Sequence, residues 1–227
     1  MICNKSRAAR TVFLARILGL TFVLKLMEIK EGTGSKLYTQ LSSSFPEAEK
    51  LSKEERTHEA SILAMLNEER LKYIGSIVLG LNDALVELTG ALAGFTLALG
   101  DTKLISLAGL VTGISASLSM AASDYLSSRA EGDPKAKKSA VYTGISYLVT
   151  VILLILPFLL LSSKFIALAI TLFTAVLIIF FFNYYISVTN ELNFRHRFLE
   201  MTTISLGVAA LSFLIGFVLK GALGIEE

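Results

Sequence analysis

Apolar residues dominate the chain after about residue 70, in long runs that short polar segments interrupt. A helix rises about 1.5 Å per residue, so about 20 apolar residues cross a bilayer core that is about 30 Å thick. Each run is long enough for one crossing. The pattern therefore predicts an all-α membrane protein with five transmembrane helices, with spans at about 73–100, 104–126, 140–161, 165–188 and 199–219.

The first part of the chain follows a different pattern. Residues 1–70 mix charged and apolar positions, and good helix formers occupy much of their second half. The stretch "SFPE" (44–47) resembles a helix start, with a serine cap, a proline near the first turn and a glutamate three residues later. We predict a cytosolic helical segment over residues 1–70, followed by a transmembrane domain over residues 71–227.

The basic residues between the predicted spans are distributed unevenly. Because the side of the membrane that carries more Lys and Arg faces the cytosol, the N-terminus is predicted to be cytosolic and the C-terminus outside. Short loops and the lack of a recognisable targeting signal favour a prokaryotic plasma membrane. One side carries Arg70, Lys72, Arg129, Lys135, Lys137, Lys138, Arg195 and Arg197, and the other carries Lys103, Lys164 and Lys220.

Composition excludes several classes of function. The net charge of +2 gives no sign of nucleic-acid binding, so the lipid bilayer is the expected partner. Cys3 is the single cysteine, which excludes an intrachain disulfide and a thiolate metal cluster. The sequence contains no phosphate-binding glycine loop and no catalytic motif, and we therefore expect no enzymatic activity and no tightly bound cofactor.

Two carboxylates interrupt the first span. Asp83 and Glu87 lie one helical turn apart, hence on one helix face, in the stretch "GLNDALVELTG". Ionisable residues inside a membrane are costly, and they mark ion or proton pathways. In the second span Met120 and Asp124 have the same spacing. The alternative interpretation is structural: Asp83 would pair with Lys72, and Asp124 would pair with a basic residue of the following loop, Arg129.

These side chains favour a particular class of ion. Carboxylates supply hard oxygen ligands and methionine supplies a soft sulfur, a combination that suits a borderline divalent ion such as Fe²⁺ or Mn²⁺. Buried carboxylates can also carry protons. The sequence therefore predicts a metal and proton pathway between spans one and two, formed by Asp83, Glu87, Met120 and Asp124.

Glycines spaced four residues apart occur in the same two spans. The pairs are Gly90 with Gly94 and Gly109 with Gly113. Small residues at this spacing let helix backbones approach closely in lipid, where no hydrophobic force drives helices together. We expect close helix contacts at these positions.

A second candidate metal site lies before the first span. Glu55 and His58 form one Glu-x-x-His motif, the half-site spacing of di-iron carboxylate bundles, which need two such motifs and two further glutamates. A single copy is a weak signal. His58 on a glutamate-rich helix is otherwise an ordinary exposed residue.

The stretches "GLNDALVELTGALAG" and "ISASLSMAASDYLSSRAEGDP" resemble the vacuolar iron transporter family. The resemblance implies a five-helix, generally homodimeric membrane protein that moves Fe²⁺ or Mn²⁺ out of the cytosol in exchange for protons. It places Asp83, Met120 and Asp124 in the ion pathway and Glu131 at the start of the following loop. Eukaryotic members carry a long glutamate-rich insertion between spans two and three, whereas only Ser127 to Lys138 link these spans here.

The N-terminal segment is similar to half of a rubrerythrin-like or ferritin-like domain, which some prokaryotic relatives carry before the transporter. Glu55 and His58 are then candidates for cytosolic metal binding, with iron as the expected ligand, and the transporter resemblance adds Glu131 as a further candidate. Gly32 stands where that resemblance leads us to expect an acidic residue. Two half-domains of a dimer would complete the site, or the segment is a remnant whose site is lost.

Three functions follow from these observations. The first is a divalent metal transporter for Fe²⁺ or Mn²⁺. The second is a membrane-anchored iron-binding or ferroxidase-like module that uses the N-terminal helices. A single span would suffice for an anchor, so five spans with internal carboxylates favour transport. A proton-coupled carrier of another solute is the third.

Overall fold

A computed structural model describes residues 73–190 and 192–223, together with positions 15, 19, 22, 23, 25 and 26. In this part of the chain the regular structure is α-helical. Its five long helices are α1 (Ile74–Ala98), α2 (Thr102–Ala130), α3 (Ala136–Leu160), α4 (Lys164–Thr189) and α5 (Phe194–Leu223).

The predicted fold class is confirmed. Each of the five helices is long and apolar enough to cross a membrane. Three helices extend well past the predicted spans: α2 continues to Ala130, α3 begins at Ala136, and α5 begins at Phe194. The apolar pattern ends at the edge of the hydrocarbon, whereas backbone hydrogen bonding continues into the interface, where polar side chains are solvated.

The link between α1 and α2 is short because Asp101 caps the second helix. Its side chain accepts a hydrogen bond from the backbone N–H of Lys103 at 3.1 Å, which satisfies one of the free donors of the first turn. Only Leu99, Gly100 and Asp101 separate the two helices. Because the link is so short, α1 and α2 run in opposite directions.

The link between α2 and α3 is shorter than the polar stretch Ser127 to Lys138 suggests. α2 ends in a Schellman motif: Asp133 N–H donates to the Ser128 carbonyl at 2.9 Å, and Gly132 N–H donates to the Arg129 carbonyl at 3.1 Å. Gly132 has a φ of +80°, a conformation that glycine adopts without a steric penalty. The glycine therefore ends the helix, two residues before Pro134.

Helix α1 packs against α5, α3 and α2. The main hydrophobic core includes buried residues of α1 and α3, among them Leu85, Leu88, Tyr147 and Leu154, each with no exposed surface. Many other large apolar side chains remain on the outside of the helices. This arrangement suits a hydrocarbon solvent, since lipid contacts replace the polar surface that a water-soluble bundle needs.

The predicted glycine contacts are present. A Cβ atom on Gly94 would lie 3.1 Å from the backbone oxygen of Ser212, and one on Gly216 would lie 2.5 Å from the backbone oxygen of Gly94. The backbones of α1 and α5 therefore touch. Gly109 and Gly113 of α2 instead receive side chains, from Leu92 and Val151 among others.

Helix α4 joins the bundle through a hydrogen bond and an aromatic cluster. Thr171, which is fully buried, donates from Oγ1 to the Leu154 carbonyl of α3 at 2.9 Å. Near the other end of α4, Phe180 makes edge-to-face contacts with Phe194 and Phe198 of α5. These contacts fix α4 against its two neighbours in the chain.

Residues 185–192 and the described N-terminal positions belong to a second compact unit. Within it Phe22 stacks on Tyr185 with ring centroids 5.1 Å apart, and Val23 and Val188 are buried in the same small cluster. The remainder of the predicted segment 1–70, including Gly32, lies outside the described residues.

Candidate functional site

Glu87 lies in the middle of α1, on the surface of the single chain. Its Oε2 atom accepts a hydrogen bond of 2.7 Å from the hydroxyl of Tyr147 in α3, whose side chain is fully buried. A carboxylate at this depth is costly unless a partner satisfies it. The buried phenol supplies one such partner and leaves the rest of the carboxylate open to a ligand.

Asp83 lies one turn before Glu87 on the same helix and is half-buried. Side chains at this spacing are neighbours on a helix surface, with Cβ atoms about 5–6 Å apart. The pair therefore concentrates two acidic groups on one face of α1. Two carboxylates so close together in a low-dielectric region attract a cation or a proton strongly.

Asp124 lies near the end of α2 and makes different contacts. Its Oδ2 atom accepts hydrogen bonds of 2.8 Å from the hydroxyl of Ser139 and 2.8 Å from that of Thr143, both in α3. The proposed structural partner of Asp124, Arg129, instead donates to the hydroxyl of Tyr125 at 3.1 Å. Asp124 is thus held by neutral hydroxyls from the neighbouring helix.

The same hydroxyls reach helix α1. Ser139 Oγ lies 2.6 Å from Ser76 Oγ, and Thr143 Oγ1 lies 3.1 Å from the Ser76 backbone oxygen. A longer contact of 3.4 Å joins Ser128 Oγ to Ser139 Oγ. We call these five residues, Ser76, Asp124, Ser128, Ser139 and Thr143, the hydroxyl cluster. It connects α1, α2 and α3 near one end of the bundle.

The other predicted site residues are distributed as follows. Met120 is partly buried and packs against the main hydrophobic core. Glu131 caps the end of α2, is exposed, and accepts a 3.4 Å hydrogen bond from Ser127. Glu55 and His58 lie outside the described residues.

The four predicted pathway residues do not form one group of ligands in the single chain. Within residues 73–190 and 192–223, no three of the His, Cys, Asp and Glu side chains are arranged to hold a metal ion. Asp83 and Glu87 form one acidic pair, and Asp124 belongs to the hydroxyl cluster. The pathway role of the four residues stays a prediction.

The sequence interpretation missed the contribution of α3. Ser139, Thr143 and Tyr147 occur at i, i+4 and i+8, so they line one face of the helix. The first two bind Asp124 and the third binds Glu87. This polar row at helical spacing, which begins just before the predicted third span and continues into it, is the signal that would have found them.

Residues 74–137 match the model of the VIT family. The matched segment comprises α1, α2 and the first residues of α3. It contains Asp83, Glu87, Met120, Asp124 and Glu131, and it agrees with the resemblance noted from the sequence. No curated protein matches the chain.

Proposed function

We propose that the protein transports a divalent metal ion, Fe²⁺ or Mn²⁺, out of the cytosol in exchange for protons. The observation that carries this proposal is Glu87, an exposed carboxylate in the middle of a membrane-spanning helix, anchored by a fully buried tyrosine and paired with Asp83. The VIT family match over the same helix supports metal as the transported species.

The ligand chemistry supports a borderline divalent ion. Two carboxylates on one helix face provide two negative charges and hard oxygen ligands, which match the charge of Fe²⁺ or Mn²⁺. Met120 would add a soft sulfur along the route. Because carboxylates bind either metal or protons, the same pair would return protons after it releases the metal.

We further propose that the protein is a homodimer and that the metal site is shared by two copies. One chain leaves Glu87 exposed at membrane depth and offers an acidic pair rather than a complete ligand set. Exposed carboxylates in lipid are unstable, so a second protein surface or a water-filled path should cover them. A second copy would contribute the same two carboxylates.

The direction of transport follows from the proposed orientation. The basic residues Arg129, Lys135 and Lys137 flank the short link between α2 and α3, so the positive-inside rule places this end of the bundle in the cytosol. The hydroxyl cluster lies near the same end. Metal would therefore pass the hydroxyl cluster first and reach Asp83 and Glu87 afterwards.

Flux measurements in proteoliposomes test the proposed function. The protein is reconstituted, and the entry of Fe²⁺, Mn²⁺, Co²⁺ and Zn²⁺ is followed with and without a pH gradient. We expect Fe²⁺ or Mn²⁺ flux that depends on the gradient and falls at least about tenfold in Glu87→Gln, which removes one charge from the site.

The matched control is Glu200→Gln, the same change at an exposed position in α5, which should retain flux close to that of the parent. Equal flux in the parent and in Glu87→Gln would refute the site. The absence of flux for all four ions would refute the function.

A further inference from the structure

The hydroxyl cluster is separated from the acidic pair along α1. Ser76 precedes Asp83 by seven residues and Glu87 by eleven, which corresponds to about 10 and 16 Å at the rise of a helix. The cluster and the pair therefore occupy different levels of the bundle. An ion that passes between α1 and α2 from the cytosolic side meets the hydroxyl cluster first.

Close contacts between α1 and α3 lie on both sides of the hydroxyl cluster. Tyr73 and Tyr142 stack with ring centroids 4.8 Å apart, and Tyr73 is almost fully buried. One turn past Ser76, a Cβ atom on Gly80 would lie 2.6 Å from the Ser146 hydroxyl oxygen. The helices thus leave little space at this level, and Asp124 of α2 is bound directly to their shared surface.

The two α3 hydroxyls of the cluster each have a choice of acceptors. A serine or threonine carries a single hydroxyl proton and donates one hydrogen bond at a time. Thr143 lies within reach of both Asp124 and the Ser76 carbonyl, and Ser139 lies within reach of both Asp124 and Ser76 Oγ. The α3 hydroxyls can therefore release Asp124 and still be satisfied by α1.

A divalent cation would drive this exchange. A metal ion that binds the Oδ2 atom of Asp124 competes with the two hydroxyl donors for that oxygen. Because the hydroxyls have replacement acceptors on α1, release of Asp124 leaves no buried donor without a partner. The cluster itself is poorly suited to hold the ion, since it offers one negative charge and its oxygens are already joined to one another by hydrogen bonds of 2.6–3.4 Å.

We infer that Ser139 and Thr143 are positioning residues, and that the hydroxyl cluster holds α2 in place until a divalent cation binds. We call this arrangement the latch. The two residues hold Asp124 and thereby keep α2 against α1 and α3. Binding of a divalent cation to Asp124 releases α2 and opens the route to Glu87. This inference rests on the proposed transport function and adds the step that admits the metal. A ligand stabilises the state to which it binds more tightly, which here is the released state.

Thiol labelling measures the latch without measuring transport. In a Cys3→Ser background, Ala91→Cys places a single thiol one turn beyond Glu87 on the same helix face and keeps every carboxylate. A membrane-impermeant maleimide is added from the cytosolic side of vesicles, with and without Mn²⁺. Because the proposed second copy covers this face of α1, we expect slow labelling in the parent, and we expect Mn²⁺ to accelerate it.

Removal of the hydroxyls should release the latch without metal. We expect the double change Ser139→Ala and Thr143→Val to label at least about a hundredfold faster than the parent in the absence of Mn²⁺, since each of the two lost hydrogen bonds to a charged acceptor contributes roughly a factor of ten or more to an equilibrium. Asp124→Asn keeps an acceptor for the hydroxyls but lacks the charge, so its labelling should not respond to Mn²⁺.

Two controls separate this effect from a general loss of packing. Thr150→Val makes the same substitution on α3 at a buried threonine that donates within its own helix, and it should label like the parent. Thr143→Ser keeps the hydroxyl and should restore slow labelling that still responds to Mn²⁺.

The outcomes distinguish the latch from the transport function. Slow labelling of the double variant without metal, or no response of the parent to Mn²⁺, would overturn the latch even if metal flux is present. The expected labelling pattern in a protein without metal flux would support the latch and overturn the proposed function.

Discussion

Helix α1 has two interfaces that differ in how many polar side chains they carry. Its backbone touches that of α5 where Gly94 meets Gly216, and it touches that of α3 where Gly80 meets the Thr143 carbonyl. The α3 interface also carries the hydroxyl cluster and a hydroxyl bond to Glu87. A backbone contact has one geometry, whereas hydroxyl bonds can exchange acceptors. We therefore call the α5 interface the fixed side of α1 and the polar part of the α3 interface its adjustable side.

A substitution at Gly216 should disrupt the fixed side, the interface of α1 with α5, most severely. A Cβ atom there would lie 2.5 Å from the Gly94 backbone oxygen, and backbone cannot move aside as a side chain can. We expect Gly216→Leu to prevent the formation of stable protein, with no cooperative thermal transition in detergent. In the control Gly207→Leu, on the same helix, the Cβ atom would have no described neighbouring atom within 4 Å. Its melting temperature should therefore be close to that of the parent.

A Gly216→Leu protein that melts at the parent temperature would show that α1 and α5 can separate freely. The proposed contrast between a fixed and an adjustable side of α1 would then fail.

The adjustable side is tested at Tyr147. Tyr147→Phe keeps the ring and removes the hydroxyl that binds Glu87, so the carboxylate loses its buried donor. We expect metal flux to fall by about three- to tenfold, and stability to fall by about 1–3 kcal/mol. Flux assays in proteoliposomes and thermal melting provide the two measurements.

The control for this change lies on the same helix. Tyr142→Phe keeps the ring that stacks on Tyr73, and both values should stay near those of the parent. Unchanged flux in Tyr147→Phe would show that the Tyr147 hydroxyl does not contribute to the site.

Ser205 provides a smaller test on the fixed side. Its hydroxyl donates to the Leu85 carbonyl of α1 at 2.7 Å. Hydrogen bonds between membrane helices contribute about 0.6 kcal/mol on average, so Ser205→Ala should lower stability by about that amount. A loss of several kcal/mol would show that this bond, rather than the glycine contact, holds α5 in place.

The smallest effect is expected at Thr89. Its hydroxyl is fully buried and has no hydrogen-bond partner within the described part of the chain. Thr89→Val removes a polar group without breaking a bond, so the melting temperature should stay equal or rise. Thr171→Val, in which a bond to Leu154 is lost, is the matched comparison and should melt lower.

The spans and the acidic residues could be predicted because they depend on local pattern. Runs of about 20 apolar residues and carboxylates at i and i+4 are visible in one dimension. The polarity pattern does not locate the end of α2. Ser127 and Arg129 look like loop residues by polarity, yet they belong to the helix, which Gly132 ends by its positive φ.

The partners of the acidic residues could not be predicted in the same way. The sequence predicts either Arg129 or a transported metal ion as the partner of Asp124, whereas in the structure Asp124 binds Ser139 and Thr143. The choice depends on how α2 and α3 are rotated about their axes. Sequence spacing specifies which residues share a helix face, but it does not specify which face meets which neighbour.

The five apolar helices, the acidic face of α1 and the glycines that allow close packing are local features of the sequence. Each of these follows from the composition of one segment, since a bilayer requires every backbone polar group to be satisfied within its own helix. The contacts of Gly94 with Gly216, of Tyr147 with Glu87 and of Ser76 with α3 depend instead on how the helices pack. These contacts join residues that are distant in the chain, and the packing of all the helices together fixes them.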